Sequence, residues 1–236
     1  MAIAFIGKTE SAPTGTAASI TISPHTSWAI GDVAIVHAST SSPNADLIVP
    51  PSGWTAVWNI SGSGIIGGTF WKILQSGDGV STTWSNSATT DVARVRTISM
   101  CIYRSAHPTA PINVTSSGAG ATNNTADFPQ VVTTVTNCVV LYCAAENNTT
   151  VSGGVWTPGQ VELTERVDLN NTGTTFRPQC VYEEAQATAG TTPVRSATIN
   201  VGAAPPVRGT LALAPEATDV TPPANPTGLT ATMIEQ

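Results

Sequence analysis

Apolar residues in this chain fall in short alternating runs from one end to the other, and no window longer than about ten residues repeats them at helical spacing. The clearest runs cover residues 2–6, 18–22, 32–38, 54–60, 69–74, 92–103, 131–136, 138–145, 160–167, 174–184, 194–201 and 207–213. Side chains point alternately to the two faces of a strand, so a period of two is what a half-buried strand requires. Clusters such as Ser76-Gly77-Asp78-Gly79, Ser152-Gly153-Gly154 and Asn170-Asn171-Thr172-Gly173 sit between runs, where turns are needed. About a dozen short strands at this spacing predict an all-β fold, an antiparallel β-sandwich of jelly-roll-like form, and not a parallel α/β sheet.

Composition narrows the partners. Only 10% of the 236 residues are charged, against about 25% in ordinary soluble domains. Thr alone outnumbers Lys, Arg, Asp and Glu together. Coiled coils and helical bundles are excluded by this composition, and a 41% hydrophobic content excludes conventional disorder. Nine scattered Lys and Arg under a net charge of −6 cannot build a phosphate-neutralising stripe, so no nucleic-acid partner is expected. The apolar runs are far shorter than the roughly 20 residues of a spanning helix, so no membrane insertion is expected either.

The start, MAIAFIGKTES, lacks a basic region followed by a long apolar one, and reads as no secretory leader. The four cysteines, Cys101, Cys138, Cys143 and Cys180, contain no CxxC pair and are expected to be reduced and buried. Cys143 aligns with Val139 and Leu141 on one strand face. Cys138 lies on the other face, so those two cannot bridge. Composition shifts after Pro215, where Pro222, Pro223 and Pro226 stiffen an extended segment. Residues 1–214 are therefore read as one sandwich domain and 215–236 as a Pro-rich linker or tail. No internal repeat is convincing; only Gly53-Trp54 and Val155-Trp156-Thr157 are faintly alike.

Motifs that carry chemistry are scarce. His25, His37 and His107 lack metal-ligand spacing, and His37 ends an alternating apolar strand as a structural histidine would. Ser61-Gly62-Ser63-Gly64 opens no helix and is no phosphate cradle. Glu162, Glu165, Asp168, Glu183 and Glu184 lie on or beside two strands, with nothing to fix a pair across a cleft as a glycosidase needs. Asp78 reads as a turn residue before a calcium ligand. No catalytic residue, metal or cofactor is assigned. Among the tryptophans, Trp54, Trp58 and Trp71 are expected in the core. Trp28 and Trp156, flanked by turn residues, are the candidates for exposed glycan-stacking platforms.

Five stretches carry a resemblance: the MAIAF start, GDVAIVHAST at 31–40, PPSGWT at 50–55, TFWKIL at 69–74, and a Thr/Ser-rich strand followed by a long alternating one ending in YR within 80–104. Together they resemble a β-sandwich of tailed-phage structural proteins, found in head-decoration, tail-fibre and minor structural roles. Its matching residues, Gly31, Asp32, Gly53 and Trp54, maintain a fold and mark no site. The stretch DVTPPANPTGLTAT is similar to the connector and first strand of fibronectin type III modules. The resemblance implies a non-enzymatic virion protein, assembled in the host cytoplasm, that cements or decorates a capsid or belongs to a tail or fibre. Its partners would be major capsid or tail proteins, further copies of itself in a trimer, and a host surface glycan. The alternative is an extracellular carbohydrate-binding module using Trp28 and Trp156.

Overall fold

The computed structural model of the chain describes residues 1–12, 16–41, 47–62, 64–86, 96–120, 124–147, 154–169, 177–200 and 205–217. Every regular element among them is a strand. The first half contains β1 (Ala4–Ser11), β2 (Ile20–Ile22), β3 (Val33–Ser41), β4 (Ile48–Val49), β5 (Thr55–Ser61), β6 (Ile65–Ile73), β7 (Thr82–Asn86) and β8 (Arg96–Arg104). The second contains β9 (Ile112–Ala119), β10 (Thr125–Phe128), β11 (Val132–Thr133), β12 (Cys138–Ala145), β13 (Trp156–Pro158), β14 (Thr164–Leu169), β15 (Gln179–Gln186), β16 (Gly190–Thr191), β17 (Arg195–Ile199) and β18 (Val207–Leu213). Pairing is antiparallel, in two five-stranded sheets, β1-β8-β3-β6-β5 and β14-β15-β12-β18-β9. Two three-stranded sheets, β2-β7-β4 and β10-β17-β13, and a small β11-β16 pair complete it. The all-β antiparallel sandwich expected from the sequence is what forms.

The sheets stack in four layers. Val33, Ile35, Cys101 and Tyr103 from one large sheet meet Leu141, Cys143, Val181, Leu211 and Leu213 from the other in a central core. The opposite face of the first sheet, with Ala34, Val36, Phe70, Ile98 and Met100, is covered by Ile20, Ile22, Ile48 and Trp84 of its three-stranded neighbour. The second sheet is covered in the same way, Val140, Tyr142, Cys180 and Tyr182 lying under Ala126, Phe128, Trp156 and Ile199. Central strands are thus apolar on both faces. Val33 to Thr40 are all buried, because odd positions serve one core and even positions another.

The halves repeat one plan, which the sequence conceals. Replacing β1, β8, β3, β6 and β5 by β9, β18, β12, β15 and β14 converts one large sheet order into the other, and β2-β7-β4 becomes β10-β17-β13. Irregularities repeat too. β1 and β9 each skip one residue opposite their partner, at Ile6 and Asn113, and β5 and β14 do so at Val57 and Arg166. The residue two before β3 is Gly31 (φ 92°) and its counterpart before β12 is Asn137 (φ 58°); both take the left-handed conformation that Gly and Asn tolerate best. Across the central core β1 packs on β14 and β5 on β9, so the two units are related by an approximate two-fold axis along the strands.

The linker between units, the chain start and the end of β18 all lie at one pole. Residues 214–217 are held there: the Ala214 N–H donates to Pro111 O (2.8 Å), His107 N–H to Ala214 O (2.9 Å) and Glu216 N–H to Ser105 O (2.9 Å). The rest of the expected tail, 218–236, lies outside the described residues. So do the turn at 170–173, residues 92–95 of the long strand and 174–176 of another.

Candidate functional site

A cleft of about 720 Å³ opens at this pole. Its walls are Met1 and Ala2, His107 of the inter-unit link, Val135 to Asn137 ahead of β12, and the pinned root Ala214–Ala217. His107 is fixed by its own turn, with Nδ1 accepting the N–H groups of Ala110 (3.1 Å) and Thr109 (3.4 Å). Loops and the short strand β11 bring exposed apolar side chains of both units to the same pole: Ile30, Val80, Val132, Val161 and Val194. Sequence reasoning missed this cleft, because its walls come from four distant segments of ordinary residues.

The tryptophans divide differently from expectation. Trp54 and Trp58 are buried, and Trp71 is half-buried against the central core, as expected. Trp156 is a correction: it is 1% exposed and fills the core under its outer sheet, so its indole offers no surface to a sugar ring. The turn residues around it end just where β13 begins, and the strand face, not the flanking turn, decides its burial. Trp28 is half-buried, lying against Gly79 and the outer core of the first unit. The two do not form a common platform, since they belong to cores on opposite outer layers.

A polar layer runs through the otherwise apolar centre. His37 Nδ1 pairs with Thr69 Oγ1 at 3.2 Å, and its ring packs on Trp58 at 5.5 Å between centroids. Ser39 and Thr97 share a hydrogen bond of 2.6 Å, and Thr97 donates to Arg177 O at 3.0 Å. Gln179 Nε2 donates to Ser99 Oγ at 2.8 Å, tying the two sheets together. His37 and Cys143 occupy equivalent strand positions on the two sheets. Full burial lowers the His37 imidazole to about 4 and raises the Cys143 thiol to about 12. A thiolate–imidazolium nucleophile needs both shifts reversed. The group is structural, as the strand-end reading of His37 anticipates.

All four cysteines are free and buried: Cys101 and Cys143 in the central core, Cys138 and Cys180 in the outer core of the second unit. Desolvation raises every one of these thiols. Thiol titration in denaturant without reductant should count four, and the native chain should react slowly; a count of two or none would disprove the reduced state.

Four carboxylates are occupied by the fold. Asp32 accepts from Ala29 N (2.7 Å) and, through both oxygens, from Arg104 (2.8 Å each). Asp78 accepts from Gln75 N and Lys72, closing its turn. Glu183 accepts from Tyr103 (2.9 Å) and Arg166, and Glu184 from Tyr142 (2.5 Å) and Arg195 (2.7 Å). Among the described residues no three His, Cys, Asp or Glu converge as metal ligands.

One clamp appears in both units. Asn59 bonds both backbone groups of Ile48, and its counterpart Asp168 accepts from Trp156 N (3.3 Å). Desolvation raises the Asp168 carboxyl to about 6, above its ordinary 3.8. Stability from this group is therefore greatest below pH 4 and is lost as pH rises through 6. Asp168→Asn should stabilise the chain at pH 7.5 by about 1 kcal/mol, after discount for its partial exposure, and should leave it unchanged near pH 4. Equal denaturation midpoints at pH 7.5 would refute this.

No family model, curated protein or solved structure matches the chain.

Proposed function

We propose that the protein is a non-enzymatic structural component of a tailed-phage virion, built from two jelly-roll-like units fused back to back. It decorates or cements the capsid, or forms part of a tail or fibre. The strand order carries this reading. In each unit the run β1-β8-β3-β6, or β9-β18-β12-β15, faces a small sheet of order β2-β7-β4, or β10-β17-β13. That is the order of a jelly roll whose fifth strand has moved to the edge of the larger sheet, and jelly rolls serve in viral capsid and lectin domains. This is an analogy of fold. The chemistry agrees with it: Asp32, Asp78, Glu183 and Glu184 are held in ion pairs within the fold, and surface strands are rich in Thr and Ser suited to a wet, polar interface. The pole cleft and its apolar rim are the part of this surface best shaped to meet a neighbouring virion protein.

Antibody raised against the purified protein should label intact phage particles, and the protein should rebind particles stripped of it with a saturable stoichiometry matching a lattice symmetry. Failure to label or rebind both heads and tails would refute the assignment. Glycan-array binding abolished by Trp28→Ala would favour the carbohydrate-binding alternative instead.

A further inference from the structure

The approximate two-fold allows two flanks of one molecule to be compared directly. It carries the flank made by β1 and β14 onto the flank made by β9 and β5. The two flanks share their strand pairing and their bulges, and differ in side chains. On the first, β1 carries Lys8 and Glu10, and β14 carries Glu165, Arg166 and Asp168. On the second, the equivalent positions hold Thr115, Ser117, Ala56, Val57 and Asn59. The seven residues of β5 and the eight of β9 include no charge and no proline.

Open sheet edges recruit other strands through their unpaired N–H and C=O groups, and charged residues, Lys above all, normally guard against it. The guard is present on one flank and absent from the other. Asn113 at the start of β9 is covered by Thr134 through two hydrogen bonds. From Val114 to Ala119, and along β5, no backbone hydrogen bond to the free side is seen among the described residues. Thr115, Ser117 and Ala119 are exposed there. In a chain of net charge −6, an uncharged edge is where a second copy can approach without like charges meeting.

We propose that the β5/β9 flank is a self-association surface on which a second copy of this chain docks edge to edge. A two-fold axis normal to the sheets pairs β9 with β9 and β5 with β5, both antiparallel, in one movement. Each large sheet then continues into its partner's. A flank about 26 Å long and about 20 Å deep over its two layers covers roughly 500 Å² per copy and about 1,000 Å² in all, the lower bound for a biological interface and the size of a weak, reversible one. The contact closes at two copies, unlike the trimer implied by the phage resemblance, and it stands whether or not the virion assignment does.

Sedimentation equilibrium of the full chain across the micromolar range tests it. Thr115→Lys and Ser117→Lys restore charge where the other flank has it, Ala56→Lys does so on β5, and Thr164→Lys adds the same charge to the far flank. The wild type should dimerise reversibly. Each Lys on β9 or β5 should weaken the dimer at least about tenfold with an unchanged melting temperature, while Thr164→Lys leaves it intact. Variants that fail to melt cooperatively are set aside, and those that fold decide. A wild type that stays monomeric or forms trimers, or a dimer indifferent to these Lys residues or equally weakened by Thr164→Lys, would overturn the proposal.

Discussion

Trp84→Ala should lower the stability of the chain by about 3–5 kcal/mol, the cost of emptying a packed indole site. Trp84 is 1% exposed, and its ring meets Trp54 and Phe70 with centroids 5.1 Å away in each case. Trp156→Ala should cost as much in the other unit, because it too is 1% exposed. The two tryptophans are not equivalent positions. Strand register places Trp156 opposite Ile199, and Ile48 at the same point of the first unit; Trp84 corresponds to Ala197. One unit fills its outer core with Ile48 and Trp84, the other with Trp156 and Ala197. The double exchange Ile48→Trp with Trp84→Ala copies the second solution onto the first and should recover part of the loss. Urea unfolding measures all of these, and a loss below about 1 kcal/mol for either single variant would show that these cores relax around the hole.

Acidification should destabilise the chain through His37. Its native imidazole is lowered to about 4 from 6.5, with burial as the leading cause. Between those values the unfolded chain takes up a proton that the native chain refuses, so stability is full above pH 6.5 and falls as pH drops toward 4. A shift of that size corresponds to about 3 kcal/mol. Thr69, bonded to the ring, is neutral, and hydrogen bonds to the backbone of Ala144 and Gly68 oppose the effect but are outweighed by burial. The Asp168 carboxyl works in the opposite direction over part of the same range, so the cleanest measurement sets His37→Asn against the parent in an Asp168→Asn background. The parent should lose stability from pH 7 to 4.5 and the His37 variant should not; parallel curves would refute the assignment.

Strand class was legible from short apolar runs bounded by turn residues where a strand has apolar partners on both faces. Cys138–Ala145 and Val207–Leu213 run as the pattern indicates. The edge strand β9, INVTSSGA, has weak β-formers and buries no residue fully, so alternation leaves little trace in it. The duplication left no sequence signal, because what the units share is burial at each position and not residue type. Phe70 matches Tyr182, His37 matches Cys143, and Trp54 matches Leu163, each pair filling its place by different means. Even the turns before β5 and β14 agree only in backbone, with Trp54 N–H donating to Pro51 O and Leu163 N–H to Gln160 O. The faint likeness of Gly53-Trp54 to Val155-Trp156 pairs positions that are not equivalent. The pole cleft had no signature at all, since proximity of Met1, His107, Asn137 and Pro215 is a product of topology.

The pinned root at Ala214–Ala217 also sets how the molecule bears load. β18 is hydrogen-bonded along its length to β12 on one side and β9 on the other. A pull on the C-terminal side, directed along the strand and away from the pole, stretches both ladders in shear. Every rung then resists together, whereas a pull across the sheet would open them one at a time. The three backbone bonds at the root align that force with the strand before it reaches the ladders. Under tension the second unit is gripped at an interior strand of its large sheet, so extraction requires breaking both neighbours at once, and mechanical lifetime follows the rate of that rupture and not the equilibrium stability of the fold.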